Sequence, residues 1–201
     1  MINDVLTILR DHLNSSKGLK DITGDIAVID DIAKHDDDTS GLDNKVVITL
    51  LNIEEESTLK NQSRYQKKVI TGDDNKKFDI MDGIPAYLNL YVVISANRTS
   101  YSSALANISK VIEVFQTNNV LEYKDPDDIE ENDFEFRIEL HSVPFEQLSY
   151  IWGLLGGKII PSVLYKISVI KIMAKEEIPV KLIEEINHEI NVKKDKKDKN
   201  K

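Results

Sequence analysis

Apolar residues recur at helical spacing in three segments of the first 155 residues. The segments run from Ile2 to Leu13, from Ala104 to Phe115 and from Leu148 to Leu155, and each would present one apolar face to a core. Thr99 or Ser100 can cap the second helix, because a hydroxyl at this position accepts a hydrogen bond from an amide of the first helical turn. These segments are predicted to form amphipathic helices.

Strands are predicted where β-branched and apolar residues follow one another. Residues 45–53 are apolar on both faces, as is typical of a central strand, and residues 86–96 form a second strong strand. Apolar and charged side chains alternate over residues 134–140, which predicts a strand with one solvent-exposed face. Further strands are predicted at residues 26–29 and 163–172. Because strands and helices intersperse without a regular βαβ repeat, the pattern favours an α+β fold, with a mixed, largely antiparallel sheet flanked by amphipathic helices.

Residues 54–83 interrupt this pattern with a long polar segment. Gly72 and Asp73 favour a turn near its middle, and the alternation around Lys67 favours some strand. A polar segment of this length is unusual in a compact domain. It is predicted to form an exposed hairpin or a partner-binding arm.

The chain beyond Lys175 differs in composition from the predicted α+β domain over residues 1–175. Residues 176–190 are predicted to form an amphipathic helix that offers Ile183 and Ile186 to a neighbour or another chain. Residues 191–201 are predicted to form a disordered, lysine-rich tail. From Lys193 the tail has six lysines against two aspartates, a net charge of +4. Because the whole chain has a net charge of −9, the residues before the tail carry −13. An acidic body argues against nucleic acid as a partner.

Composition narrows the class of protein further. The 201 residues suffice for one domain with a real core, and 41% apolar with 30% charged residues is typical of a soluble globular protein. No apolar run reaches the roughly 18–20 residues of a membrane helix, so direct membrane insertion is not expected. The first residues lack the pattern of a signal peptide, which favours assembly in the cytoplasm. The absence of cysteine excludes disulfides, thiol nucleophiles and thiolate metal sites.

Sequence motifs typical of calcium, phosphate and zinc sites are incomplete in this chain, because they lack residues that such sites require. Asp36–Gly41 begins like a calcium loop, but Val47 stands where a bidentate glutamate is required. Gly157-Lys158 resembles the end of a phosphate loop, but Trp152 occupies the position of its first glycine. The four histidines lack the spacing of zinc ligands; they are His12, His35, His141 and His188. We therefore predict no catalytic residues, metal or cofactor, and a protein that is not an enzyme.

Two short motifs stand out for other reasons. Asn97 and Arg98 end a predicted buried strand, and either Arg98 pairs with an acidic neighbour or Arg98 and Tyr101 lie at a contact between subunits. The second motif surrounds Trp152, the only tryptophan, which is predicted to anchor the core. After it, glycines can end the helix in a left-handed conformation and a proline forbids further helix; these residues are Gly156, Gly157 and Pro161.

The sequence LSYIWGLLGGKIIPSVLYKI, residues 148–167, resembles the N-terminal domain of cap proteins from contractile injection systems, the phage-tail-like particles related to R-type pyocins and antifeeding prophages. Leu90–Arg98 with Tyr101, and the opening helix ahead of an acidic loop, support the resemblance, which covers Met1 to Met173. It implies a phage tail-terminator-like fold and a structural cap. The cap would be a homo-oligomeric, hexameric ring that ends the inner tube and anchors the last sheath layer of a releasable particle.

Two other classes of function stay open from the sequence. One is a small ligand-binding or enzymatic α+β domain whose site is assembled from residues distant in the chain; a bound cofactor or a deep polar pocket would favour it. The other is a protein associated with nucleic acid through residues 193–201, which would bind in a strongly salt-dependent manner.

Overall fold

A computed structural model of the chain describes residues 1–15, 17–19, 24, 26–37, 39–56, 67–71, 77–81, 86–125, 133–172 and 178–180. The chain divides into two compact units. The first consists of Met1–Gln62 and Pro85–Met173, and the second consists of Ser63–Ile84 and Ala174–Lys201.

Three α-helices and nine strands form the described elements. The helices are α1 Ile2–Leu13, α2 Tyr101–Thr117 and α3 Phe145–Leu154, with a short 3-10 helix at Ile32–Lys34. The strands are β1 Ala27–Ile29, β2 Lys45–Glu55, β3 Lys67–Thr71, β4 Lys77–Met81, β5 Ala86–Asn97, β6 Val120–Tyr123, β7 Phe134–Leu140, β8 Ser162–Ile172 and β9 Ile178–Val180.

Six strands of the first unit form one mixed sheet in the order β1-β2-β5-β8-β7-β6. Only β1 and β2 run parallel, and every other neighbouring pair in this sheet is antiparallel. The register places Val46 opposite Ala96 and Ile94 opposite Val163. The predicted α+β fold with a largely antiparallel sheet is confirmed.

The larger core lies between one face of this sheet and helices α1 and α2. Alternate strand residues such as Ile48 and Ile94 meet α1 through Leu9 and α2 through Phe115, and all four side chains are at most 2% exposed. The predicted cap of α2 is Ser100, whose hydroxyl accepts a hydrogen bond from the Ser103 amide at 3.4 Å. Burying each large aliphatic side chain contributes about 1.5–3 kcal/mol, which is why the amphipathic segments dock here.

The opposite face of the sheet carries a smaller core beneath α3. Val47, Val93 and Leu164 point to this face, because successive residues of a strand alternate between faces. They meet Ile32 of the 3-10 helix and Trp152 of α3, both of which are at most 1% exposed. Residues 46–49 of β2 are buried in succession because this part of the strand is covered on both sides.

The second unit contains a three-stranded sheet in the order β3-β4-β9. β3 and β4 form an antiparallel pair from Lys67 opposite Met81 to Thr71 opposite Lys77, which confirms strand pairing within the predicted arm. β9 pairs antiparallel with β4, so Ile178–Val180 is a strand and the prediction that a helix covers these residues is wrong.

Two local features explain the strand at β9. Pro179 disfavours helical backbone at the residue before it, and its missing amide is tolerated because β9 lies at an edge of its sheet. This pairing also groups Ala174–Lys201 with Ser63–Ile84, where the sequence led us to expect one uninterrupted domain over residues 1–175. The remainder of the predicted helix, residues 181–190, and the predicted tail, residues 191–201, lie outside the described residues.

Candidate assembly surface

Helix α3 is bounded by backbone features that the sequence specifies. It begins after Pro144, whose carbonyl accepts from the Leu148 amide at 3.1 Å. At its other end Gly156 and Gly157 adopt φ values of 101° and 81°, and the Gly157 amide donates to the carbonyl of Trp152 at 2.7 Å. This bond is the six-to-one closure of a Schellman motif, so the predicted left-handed stop is confirmed.

Apolar side chains lie on both sides of α3. Trp152 points to the sheet and is 1% exposed, as predicted for a core anchor. On the outward side, however, Tyr150 is 75% exposed and Leu154 is 87% exposed. Two further exposed apolar side chains flank these positions in the chain, Phe145 at the start of α3 and Ile159 shortly after its end. We call this set the α3 surface: Phe145, Tyr150, Leu154 and Ile159.

A cavity of about 720 Å³ lies between α3 and the sheet, within the first unit. Its walls are chiefly aliphatic, with Leu51 and Leu164 from the sheet and Leu155 from the residue that follows α3. Leu154 of the α3 surface also lines it, so the cavity and the exposed helix face adjoin. The cavity is therefore mainly apolar, and it differs from the deep polar pocket that would have favoured a small-molecule site.

The polar side chains that line this cavity are exposed or half-buried, apart from the buried Thr49, and we call the exposed and half-buried ones its rim. Glu54 accepts a hydrogen bond from Asn52 Nδ2 at 3.1 Å. Burial, together with a hydrogen bond to the Glu54 carboxylate and the charge of that group, raises the pKa of the Tyr91 phenol. The ring of Tyr91 meets His141 edge-on, with 5.0 Å between ring centroids. The other carboxylates of the rim belong to Asp30 and Asp31.

The Asn97–Tyr101 motif holds a neighbouring loop in place. Asn97 Nδ2 donates to the carbonyl of Leu42 at 3.1 Å, and Arg98 Nη1 donates to the carbonyl of Asn44 at 2.7 Å. An acidic partner was one of the two alternatives for Arg98, and its partner here is a backbone carbonyl instead. Asn44 has a φ of 58°, and a bond to its carbonyl helps to fix that left-handed residue. Among the described residues, Tyr101 makes no comparable hydrogen bond to this loop, and its side chain is 69% exposed at the start of α2.

The structure brings together only some of the residues that the sequence singled out. The carbonyl of Pro161 accepts from the Ala96 amide at 2.9 Å, so the two motifs meet beside Asn97. Gly156 lies elsewhere, near the 3-10 helix, where a Cβ atom on it would be 3.7 Å from the carbonyl of Ala33. Ile183 and Ile186 lie outside the described residues.

The exposed side chains of α3 were not predicted as functional. Tyr150 and Leu154 are four residues apart and form a second apolar row on the side of the helix nearly opposite Trp152. This second row is the signal in the sequence, because a helix of ten residues that is apolar on two sides needs cover on both.

In the part of the chain that the structure describes, no cluster of three or more histidine, aspartate or glutamate side chains is placed to hold a metal ion. Within the same residues, none of the helices combines the length and apolar character that a bilayer crossing requires. The arrangement offers contact surfaces, and we describe it as a candidate assembly surface.

Comparison with known proteins adds a family and a shared fold. The model of the Pvc16 N-terminal domain family matches residues 4–184. The fold is similar to that of the PVC sheath/tube terminator of an extracellular contractile injection system in its extended state, with a TM-score of 0.57 and 15% identity over 94% of this chain and 64% of that one.

It is also similar to the tube-terminating cap of the anti-feeding prophage, with a TM-score of 0.59 and 13% identity over 94% of this chain and 62% of that one. The chain therefore spans slightly less than two thirds of the length of these two proteins. No curated protein matches the sequence.

Proposed function

Because the chain belongs to the Pvc16 N-terminal domain family, we propose that it is a terminator subunit of a contractile injection particle and has a structural, non-enzymatic role. The observation that carries this proposal is the fold shared over 94% of the chain with two proteins described as terminators. The particle would be assembled in the cytoplasm and could be released from the cell.

The mechanism of such a subunit is geometric. Copies of the chain would close head-to-tail into a ring of six, since a contact between two different surfaces of one protein closes when its rotation divides a full turn. One face of the ring would match the last layer of the inner tube and anchor the last layer of the sheath. The opposite face would offer no site for another tube layer, so growth would stop there.

The α3 surface is the best-supported contact for such an assembly. Large apolar side chains that are 61–87% exposed are costly to leave in water, and burying each one fully would contribute about 1.5–3 kcal/mol. Aromatic residues such as Phe145 and Tyr150 are enriched at the centres of protein interfaces. A head-to-tail ring needs a second, different surface, and we assign this role to the region of Tyr101, beside Arg98.

The first experiment is deletion of the gene in its host, followed by negative-stain electron microscopy of the particles. We expect overlong or irregular tubes, or tubes without sheath, because nothing would end the tube or hold the last sheath layer. Expression of the wild-type chain should restore the normal length distribution. Particles of normal length and sheath content in the deletion strain would contradict the proposal.

The same strain tests the α3 surface with two matched substitutions. Leu154→Glu places a charge on the apolar row, whereas Ser149→Glu places the same charge at an exposed polar position of the same helix. We expect the Ser149 variant to restore normal tubes and the Leu154 variant to fail, although both proteins should fold. Equal restoration by both variants would show that the α3 surface is not a contact in the particle.

A further inference from the structure

The cavity beneath α3 combines an apolar interior with an acidic rim. Its interior is formed by leucine side chains of β2, β8 and α3, and its volume of about 720 Å³ lies within the range of about 300–1,000 Å³ that is typical of binding sites. Leu154, at its edge, is 87% exposed. An occupant of the cavity would therefore touch the exposed face of α3 as well.

The rim carries three carboxylates and, among the described residues that line the cavity, no lysine or arginine. Asp31 Oδ1 accepts a hydrogen bond from the Ala33 amide. Asp30 Oδ1 lies 3.5 Å from Nζ of Lys34, whose side chain is 58% exposed. Among the described residues, Glu54 accepts hydrogen bonds from Asn52 and Tyr91, which are both neutral. The net charge around the opening is thus negative, which attracts a cation.

We propose that this cavity binds a segment of another protein in which one or two large apolar side chains adjoin a lysine or arginine. The apolar side chains would enter the leucine-lined interior, and the cation would lie at Glu54 and the neighbouring aspartates. Complementary charge of this kind sets the orientation and the specificity of a contact more than its total strength.

Two observations favour a protein segment over other occupants. A small molecule could fill the cavity but would leave Tyr150 and Phe145 exposed, whereas a polypeptide can continue from the cavity along α3. An anionic lipid surface would be repelled by the rim carboxylates and by the net charge of −9. The proposal goes beyond the terminator role, because it concerns the chemistry that the cavity selects and applies to the isolated chain.

The test uses the purified full-length chain and a displayed library of random twelve-residue peptides. We expect the selected peptides to place leucine, isoleucine or phenylalanine within about two positions of a lysine or arginine, and to compete with one another for one site. Their affinities would then be measured by fluorescence anisotropy with the wild-type chain and with charge variants.

Two variants with the same change of charge separate the rim from the rest of the surface. Glu54→Lys should weaken binding of the selected peptides by at least about tenfold, because it places like charges together. Glu122→Lys, on β6, should alter binding by less than about twofold, since it is not among the residues that line the cavity. Glu54→Gln gives an intermediate loss and serves if the reversal disturbs folding, which circular dichroism would reveal.

Selection of peptides without the apolar and basic pattern would overturn the proposal, as would equal effects of Glu54→Lys and Glu122→Lys or a failure to select any peptide. These outcomes concern the cavity alone. The terminator role is tested separately by tube lengths in the deletion strain, so that failure of one proposal can be distinguished from failure of the other.

Discussion

Replacement of Trp152 by alanine tests how much the smaller core contributes to stability. The side chain is 1% exposed and packs against residues from the sheet, the 3-10 helix and the loop before β2, including Val47, Ile32 and Leu42. Truncation of a buried aromatic side chain to alanine costs about 3–5 kcal/mol, because the apolar contacts are lost and a cavity is left behind. We therefore expect the free energy of unfolding to fall by about that amount in Trp152→Ala.

Trp152→Phe is the sharper substitution. The indole Nε1 of Trp152 is buried, and among the described residues no hydrogen-bond acceptor lies within its reach. A buried donor without a partner costs about 1–3 kcal/mol, so its removal offsets part of the apolar contact that the smaller ring loses. The expected net cost of Trp152→Phe is below about 1.5 kcal/mol, much less than that of the alanine variant.

Urea unfolding followed by far-ultraviolet circular dichroism measures both changes. Fluorescence is unsuitable because Trp152 is the only tryptophan and both substitutions remove the signal. The transition midpoints give the differences in stability if the dependence on urea is unchanged between variants. A loss smaller than about 1 kcal/mol in Trp152→Ala, or equal losses in the two variants, would refute the assignment of Trp152 as an anchor with an unpaired donor.

Three further predictions concern single positions. Gly156→Ala should lower the free energy of unfolding by about 1 kcal/mol or more, since the φ of 101° at this position is strained for alanine. Gly153→Ala, inside α3 with open space where its Cβ would lie, should raise the free energy of unfolding by about 0.5–1 kcal/mol. Urea midpoints of the two variants that move in the same direction would contradict this. Ser100→Ala should cost about 1 kcal/mol because it removes the cap of α2, and its neighbour Ser102→Ala, which leaves the cap intact, should cost much less in the same assay. Burial raises the pKa of Tyr165 to about 12. The unfolded chain loses the phenol proton near pH 10 while the folded chain keeps it, so this group lowers stability as the pH rises from about 10 to about 12; Tyr165→Phe should flatten that decline, and identical slopes in unfolding measured across this range would refute it.

The sequence predicted the elements whose pattern is strong over many residues. The bounds of α1 agree with the predicted Ile2–Leu13, and β5 at Ala86–Asn97 extends the prediction by one residue. These segments are specified locally, because their periodicity already shows which faces need cover. β6 at Val120–Tyr123 was not predicted, since four residues after Asn118 and Asn119 carry too little pattern, and the strand depends on its partner β7.

β9 shows the same limit more clearly. Its three residues pair with Asp79–Met81, about a hundred positions earlier in the chain. From the sequence, Ile178 looked like the first residue of an apolar helical row continued by Leu182 and Ile186. Three residues are too few to distinguish the periodicity of a helix from that of a strand. The partner strand that decides between them is distant in sequence, so a local pattern does not reveal it.

The candidate site was hidden for a different reason. Both rows of α3 consist of large apolar residues, and at about 100° per residue Tyr150 and Leu154 lie nearly opposite Trp152. The sequence shows that the helix is apolar on two sides, but only the sheet determines which row it covers. It covers the row of Leu148 and Trp152, and it leaves Leu154 at 87% exposure. A solitary domain gains nothing from a leucine and a tyrosine kept in water on one short helix. The composition of the uncovered row is thus unexplained by the fold itself, and a second chain that covers it would supply the missing reason.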